Sequence, residues 1–411
     1  MKQTLWTRNY TLLITATVLG SAGGIAGGFA LSFLVFDETG STLASALILA
    51  AEFIPGFLIP LVAAPWMDRL PRKPFLVFGD AVNGLLYALA GIYLMFCSFS
   101  YVGYLCFSLV LASLGCFDSM AYQNIYPKLI PAGMEQKGYA ISATLYPVLR
   151  VIMMPVAALL LETLGVAWIL IIQGGLSMLA ALIESRIQVQ EINRMEGQEF
   201  SFRLWWSDIK EAAAYLKQER GIRSIFNYMA VTNGMAGGYG PLLVAFFRVT
   251  PGFTSAMYSL FSVGEFLGRS IGGVVHYNVK IPEKKRFGFA FLVYQIYETM
   301  DMCLLWLPYP LMLANRAVCG FLGVNSAALR QTAVQKYIPD ALRARLNAYE
   351  EVLILGASSL LTLAVGALGE VLDYKLCVTL CGALTIAVCW ATIWRNRPHV
   401  RKVYETQETS K

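Results

Sequence analysis

The stretch Pro65-Trp66-Met67-Asp68-Arg69-Leu70-Pro71-Arg72-Lys73-Pro74 decides how the rest of the chain is read. An apolar run from Leu43 to Pro65 precedes it and another from Phe75 to Cys97 follows it. Each is about the 20 residues that a helix needs to cross a hydrocarbon core. Two prolines, at 71 and 74, keep the connection short. Cations confined between two such runs belong at a membrane surface.

Composition extends that reading to the whole chain. Of 411 residues, 57% are hydrophobic and 14% charged, against about 25% charged in an ordinary soluble domain. Mean hydropathy is +0.58. Twelve spans of about 20 residues use roughly 240 residues and leave short loops. This predicts an all-α polytopic membrane protein embedded in the lipid bilayer.

The net charge of +6 could suggest nucleic acid, so its placement matters. With the amino terminus and every even-numbered loop on one side, 27 of the 32 lysines and arginines fall there. Arg248 and Lys375 lie opposite, and Arg150, Arg269 and Arg316 lie inside spans. The positive-inside rule therefore puts both termini in the cytoplasm of a multi-pass protein, here of the plasma membrane. The charge reports topology, and no nucleic-acid partner is expected. The first apolar run continues to Phe36, too long for the core of a signal peptide, so it is the first span.

Two halves repeat. Gly20-Ser-Ala-Gly-Gly24 in span 1 matches Gly234-Met-Ala-Gly-Gly238 in span 7. Phe57-Leu58 matches Phe266-Leu267, and Lys128-Leu-Ile-Pro131 matches Lys336-Tyr-Ile-Pro339. These pairs keep their order at offsets of 208 to 214 residues, as expected for two homologous six-span halves. The expected organisation is a six-helix bundle over 1–184, a cytoplasmic linker over 185–220, a second six-helix bundle over 221–394 and a basic cytoplasmic tail over 395–411. In the linker, Phe202–Lys217 sets Trp205, Ile209, Ala213 and Leu216 at helical spacing, which suits an interfacial helix.

The basic hairpin resembles the loop between spans 2 and 3 of the major facilitator superfamily, G-x-x-x-D-R-x-G-R-R/K. Asp68, Arg69, Arg72 and Lys73 fall on its charged positions, Ala64 and Pro71 replace its two glycines, and Gly79-Asp80 resembles its continuation. The resemblance implies that Asp68, Arg69, Arg72, Lys73 and Asp80 form a gate and conformational switch. The second half keeps only Lys284-Lys285-Arg286 of this pattern, with Tyr277 and Asn278 where Asp68 and Arg69 stand. Asp208-Ile-Lys-Glu with Tyr215-Leu216, and Gln335-Lys-Tyr-Ile-Pro339 with Arg343 and Arg345, resemble the macrolide-efflux type of drug:proton antiporter. Pro147 and Pro155 of span 5 lack the glycines that accompany them in the antiporter pattern.

Charges at membrane depth cost several kcal/mol unless paired or hydrated, and mark function by default. Asp118 and Arg150 lie 15 and 17 residues from Gly133 in the intervening loop. Both are thus roughly 20 Å deep on adjacent helices, as a scaffold pair or as a coupling pair. Glu52 and Glu265 are the other central carboxylates. Together Glu52, Asp118, Arg150 and Glu265 are candidates for coupling protons or orienting substrate. Arg330 can meet Glu350 and Glu351 near the cytoplasmic face as a structural ion pair. Spans 1, 4, 7 and 10 line the cavity of such folds, which nominates Tyr122, Asn227, Asn233 and Asn325, unless these serve helix packing.

Eight cysteines lie in or beside apolar segments without a C-x-x-C pair, and the two histidines are His276 and His399, so no metal site is expected. Neither G-x-x-x-x-G-K-S/T nor H-E-x-x-H occurs. No enzymatic activity and no cofactor are expected. The functional expectation is a secondary transporter working by alternating access, as a monomer, on a small molecule and protons. Proton-coupled efflux of an amphipathic compound leads. Uptake of a metabolite by symport, or a non-transporting sensor or scaffold, are the alternatives.

Overall fold

A computed structural model describes residues 4–67, 70–189, 202–278 and 281–405. These form α1 (Arg8–Thr39), α2 (Thr42–Met67), α3 (Lys73–Phe96), α4 (Tyr101–Leu129), α5 (Glu135–Leu164), α6 (Val166–Ser185) and α7 (Phe202–Gln218). They continue as α8 (Arg220–Val249), α9 (Ser255–Asn278), α10 (Glu283–Cys303), α11 (Tyr309–Tyr337), α12 (Asp340–Val371), α13 (Tyr374–Cys389) and α14 (Arg397–Tyr404). A π-helical turn, Trp390–Trp394, prolongs α13. Helix ends follow local chemistry. The Thr7 hydroxyl caps α1 by accepting from the Tyr10 N–H, and Gly40, at φ 63°, closes it by donating to the Phe36 carbonyl.

Among the described residues, eight segments combine length with the apolarity to cross a membrane: all or most of α1 to α6, Arg345–Val371 of α12, and Tyr374–Trp394. Helices α8 to α11 are long enough, at 21 to 30 residues, but carry more polar groups. The structure buries several of these, including Glu298, Asp301, Asn315 and Asn325, so their polarity is interior rather than solvent-facing.

The chain divides into two compact units, Met1–Ser41 with Ala51–Glu199, and Thr42–Ala50 with Phe200–Lys411. The start of α2 therefore groups with the second unit. There the Thr42 hydroxyl donates to the Gly366 carbonyl at 2.9 Å and to Glu370 Oε1 at 3.1 Å, and the Leu43 N–H donates to the same carboxylate at 2.9 Å. A carboxylate at the first turn of α2 satisfies orphan N–H groups and complements the helix dipole.

Internal packing repeats between the units. In the first, α1 packs on α5 and α6, and α3 on α6; in the second, α8 packs on α12 and α13, and α10 on α13. The α3–α6 contact is a backbone approach. A Cβ at Gly84 would lie 2.7 Å from the Gly174 carbonyl oxygen, and one at Gly174 would lie 2.7 Å from that of Gly84. In span 1, Gly23 lies under the Gln173 side chain and Gly27 against the Tyr87 ring, whereas nothing lies near Gly28.

Two segments outside the bundles are also helical. The basic tail contains α14, whose Val400, Val403 and Tyr404 are buried against α8, α10 and α11. The Tyr404 and Tyr294 hydroxyls share a hydrogen bond of 2.7 Å. The amphipathic helix of the linker is α7, and it packs on α8 and α12. Its Glu211 pairs with Arg345 at 2.6 Å. The side chains of Trp205 and Ile209 lie outside the described residues.

Candidate functional site

In the first unit, α3, α4 and α6 bring three carboxyl groups into one interior region. Asp80 faces α1, its Oδ2 3.8 Å from where a Cβ on Gly20 would stand. Asp118 packs on Gly79, its Cβ 3.8 Å from the corresponding point. Glu184, 3% exposed, sits in the last turn of α6, and both aspartates act on it electrostatically. Among the described residues none of the three forms an ion pair, and Asp118 Oδ1 and Glu184 Oε2 are buried without a hydrogen-bond partner. Lys73, at the end of the basic hairpin, donates to the Ser185 carbonyl at 2.7 Å and so ties the hairpin to the end of α6.

Toward the other end of this unit, Glu52 on α2 accepts a hydrogen bond from Ser108 on α4. Tyr87 and Tyr104 feel its charge. Beside the acidic group, the Tyr10 and Tyr126 hydroxyls share a 3.1 Å hydrogen bond, and Tyr122 stacks on Tyr126 at 5.3 Å.

The second unit pairs its charges. Arg316 on α11 forms an ion pair and hydrogen bond with Asp301 on α10 and donates to Asn315 Oδ1 at 2.9 Å. Glu298, one turn before Asp301, accepts from the Thr232 hydroxyl of α8 at 2.7 Å and the Tyr228 hydroxyl at 3.4 Å. Glu265 pairs with Arg269 four residues along α9, at 2.7 Å.

Among the described residues, two of the expected charge pairings do not form. Asp118 and Arg150 do not pair: Arg150 is exposed, since matching depth says nothing about which way each helix faces. Arg330 lies against the Tyr294 hydroxyl and feels Glu350, but no close ion pair forms, and Glu351 is exposed. Asn325 is 4% exposed; its amide donates to the Gly272 and Phe321 carbonyls and faces His276 at 3.3 Å, which is helix packing rather than cavity lining. Asn227 and Asn233 are exposed, and Asn233 also donates to the Met229 carbonyl. Asp68 and Arg69 lie outside the described residues, while Arg72 is half-buried.

One motif escaped the sequence reading. Gly268-Arg-Ser-Ile-Gly272 has the G-x-S-x-G spacing of a hydrolase nucleophile. It lies inside α9, where a Cβ on Gly268 would overlap the Ala317 carbonyl of α11. The glycines serve a helix crossing, with no strand-to-helix turn around the serine. Glu184 was also missed as a partner of Asp80 and Asp118, because it ends span 6 and only the fold brings that end to α3 and α4.

An all-helical chain of two similarly packed units, with charged groups inside its spans, has the architecture of a multi-pass membrane transporter. The chain belongs to the Major Facilitator Superfamily, whose sequence pattern matches residues 12–297. Members of this class bind small-molecule substrates within a lipid bilayer. Among solved structures, the chain is similar to the nucleoside transporter NupG, with a TM-score of 0.71 and 13% identity over 94% of this chain and 99% of that one. It is also similar to a bacterial homologue of the iron transporter ferroportin in an inward-facing state, at TM-score 0.65 and 16% identity over 98% and 100%. A POT family transporter in complex with a thioalcohol-conjugated peptide gives 0.68 and 11% over 96% of each. Identities this low speak for the fold alone. A search of curated proteins finds no match.

Proposed function

We propose that this protein is a proton-coupled secondary exporter of amphipathic small molecules. The observation that carries the reading is the Asp80, Asp118 and Glu184 group: three carboxyl groups inside the spans, with two buried oxygens unpartnered and no ion pair. Intramembrane carboxyl groups that lack a structural counter-charge are the groups from which proton relays are built. Asp301 and Arg316, already paired, suit a scaffold instead. Export rather than uptake rests on the likeness of the linker and the α11–α12 connection to macrolide-efflux antiporters. The two six-helix bundles expected over 1–184 and 221–394, joined by the linker, would alternate access by rocking, with the basic hairpin and Asp80 as the gate and the chain acting as a monomer in the plasma membrane.

One proton per substrate and one unit of pH gradient supply about 1.4 kcal/mol, enough for roughly tenfold accumulation. The test loads proteoliposomes with an acidic interior and follows uptake of a fluorescent lipophilic cation, a macrolide and a nucleoside in turn. Accumulation of an amphipathic compound that needs the gradient and is lost in Asp118→Asn and Glu184→Gln supports the reading. Gradient-independent equilibration in the parent and in both variants overturns it.

A further inference from the structure

The first unit encloses a mostly apolar cavity of about 560 Å³ at the end where α3 passes into α4, a volume within the range of small-molecule sites. Leu34 of α1, Leu89 and Tyr93 of α3, Phe99 of the connection, and Tyr104 and Phe107 of α4 contribute its walls. Leu89 and Tyr93 are exposed and share a face of α3 with Phe78, Leu85 and Phe96, also exposed and at helical spacing. In a membrane that face meets lipid, so the cavity opens sideways into the bilayer.

The far side of the cavity is aromatic and lies close to a carboxyl group. The Phe107 ring meets the Tyr104 ring at 6.1 Å and the edge of Tyr87 at 5.3 Å. Ser108 follows Phe107 and lies one turn along the helix from Tyr104, on the same face. Its hydroxyl donates to Glu52. The carboxyl group of Glu52 therefore stands within about a helical turn of the chamber, and its field reaches Tyr104 and Tyr87. Among the described residues no ion pair engages Glu52.

A lipid acyl chain would satisfy the walls and leave Glu52 without a counter-charge at membrane depth, which is costly. A cation with apolar substituents satisfies both, its body against the rings, whose faces attract positive charge, and its charge toward the carboxylate. We propose that this cavity is a binding site for lipophilic monovalent cations that enter laterally from the bilayer. The site deepens the export reading by naming its substrate class, and it rests on that reading only for its physiological use.

The test measures equilibrium binding of radiolabelled tetraphenylphosphonium, and of neutral triphenylphosphine oxide, to the purified full chain in nanodiscs. No gradient is applied. The site predicts that Glu52→Gln weakens phosphonium binding at least tenfold and leaves the neutral compound within twofold, while Ala90→Trp, which fills the cavity, removes both. If Ala90→Trp does not fold, Leu89→Trp on the lipid-facing side replaces it. Parent-like phosphonium binding in Glu52→Gln, or in the filled variant, overturns the site. Equal loss of both compounds in Glu52→Gln also overturns it, since the carboxylate would then be shaping a merely apolar groove. Binding as predicted without proton coupling in liposomes would remove the export reading and keep the site. Coupled transport with Glu52-independent binding would do the reverse.

Discussion

Replacing Arg316 by alanine removes the cation paired with Asp301. Their side chains are 12% and 6% exposed, and around them the Asn315 amide is already committed to the Met300 carbonyl at 2.8 Å. With the guanidinium gone, Asp301 is left buried with no other ion-pair partner among the described residues. Breaking a buried pair in this way costs about 3–5 kcal/mol. Asp301→Asn strands the arginine instead and should cost a similar amount. The double variant Asp301→Asn with Arg316→Ala removes both charges together, so it should be more stable than the sum of the single changes by about 2 kcal/mol. Denaturant unfolding of the full chain in a mild detergent, monitored by tryptophan fluorescence, gives the four free energies of the cycle. Additive costs, or an Arg316→Ala loss below about 1 kcal/mol, would refute the ion pair as a clamp between α10 and α11.

Three further changes probe other elements. Gly84→Val places a side chain 2.7 Å from the Gly174 carbonyl and 2.8 Å from Met178 Cγ. The same unfolding assay should show a loss of about 1–3 kcal/mol or more, whereas Gly28→Ala, with nothing near it, should stay within about 0.5 kcal/mol. Tyr404→Phe removes the hydrogen bond to Tyr294, about 1 kcal/mol, and should expose Arg401 and Lys402 to faster tryptic cleavage than in the parent. Glu135 lies exposed at the first turn of α5, where its own backbone N–H and that of Gly133 hold its carboxyl below the usual carboxylate range. Its contribution is present above the unfolded pKa and is lost as pH falls through the lowered folded value. Protection of the Gly133 amide, corrected for intrinsic exchange, should therefore decline only under acidic conditions; a decline between pH 6 and 8 would contradict this.

The span pattern was legible because lipid crossing imposes a length and an apolarity that composition displays directly. The apolar runs Leu43–Pro65 and Phe75–Cys97 form α2 (Thr42–Met67) and α3 (Lys73–Phe96), and Trp394 ends the last span. The repeat offsets foretold the matching helix pairs of the two units. Charge partners were less legible. Depth can be counted from a loop, and for Asp118 and Arg150 the count was matched but the helices face differently. The same count would have found Asp301 and Arg316, which lie 7 residues before and 8 after Pro308. Rotation about a helix axis depends on packing, as at Gly84 and Gly174, and no single-helix pattern reports it. The burial of α14 was hidden because its charged residues dominate a short stretch in which only Val400, Val403 and Tyr404 face inward.

The central claim is that substrate and protons exchange across the membrane through this chain. The most direct measurement reverses the usual drive: proteoliposomes with no pH gradient and a pH-sensitive dye inside receive an outward gradient of a lipophilic cation. Coupled exchange predicts proton uptake into the lumen as the cation leaves, abolished in Asp118→Asn. Cation efflux with no change in internal pH, at the same rate in parent and variant, would contradict it.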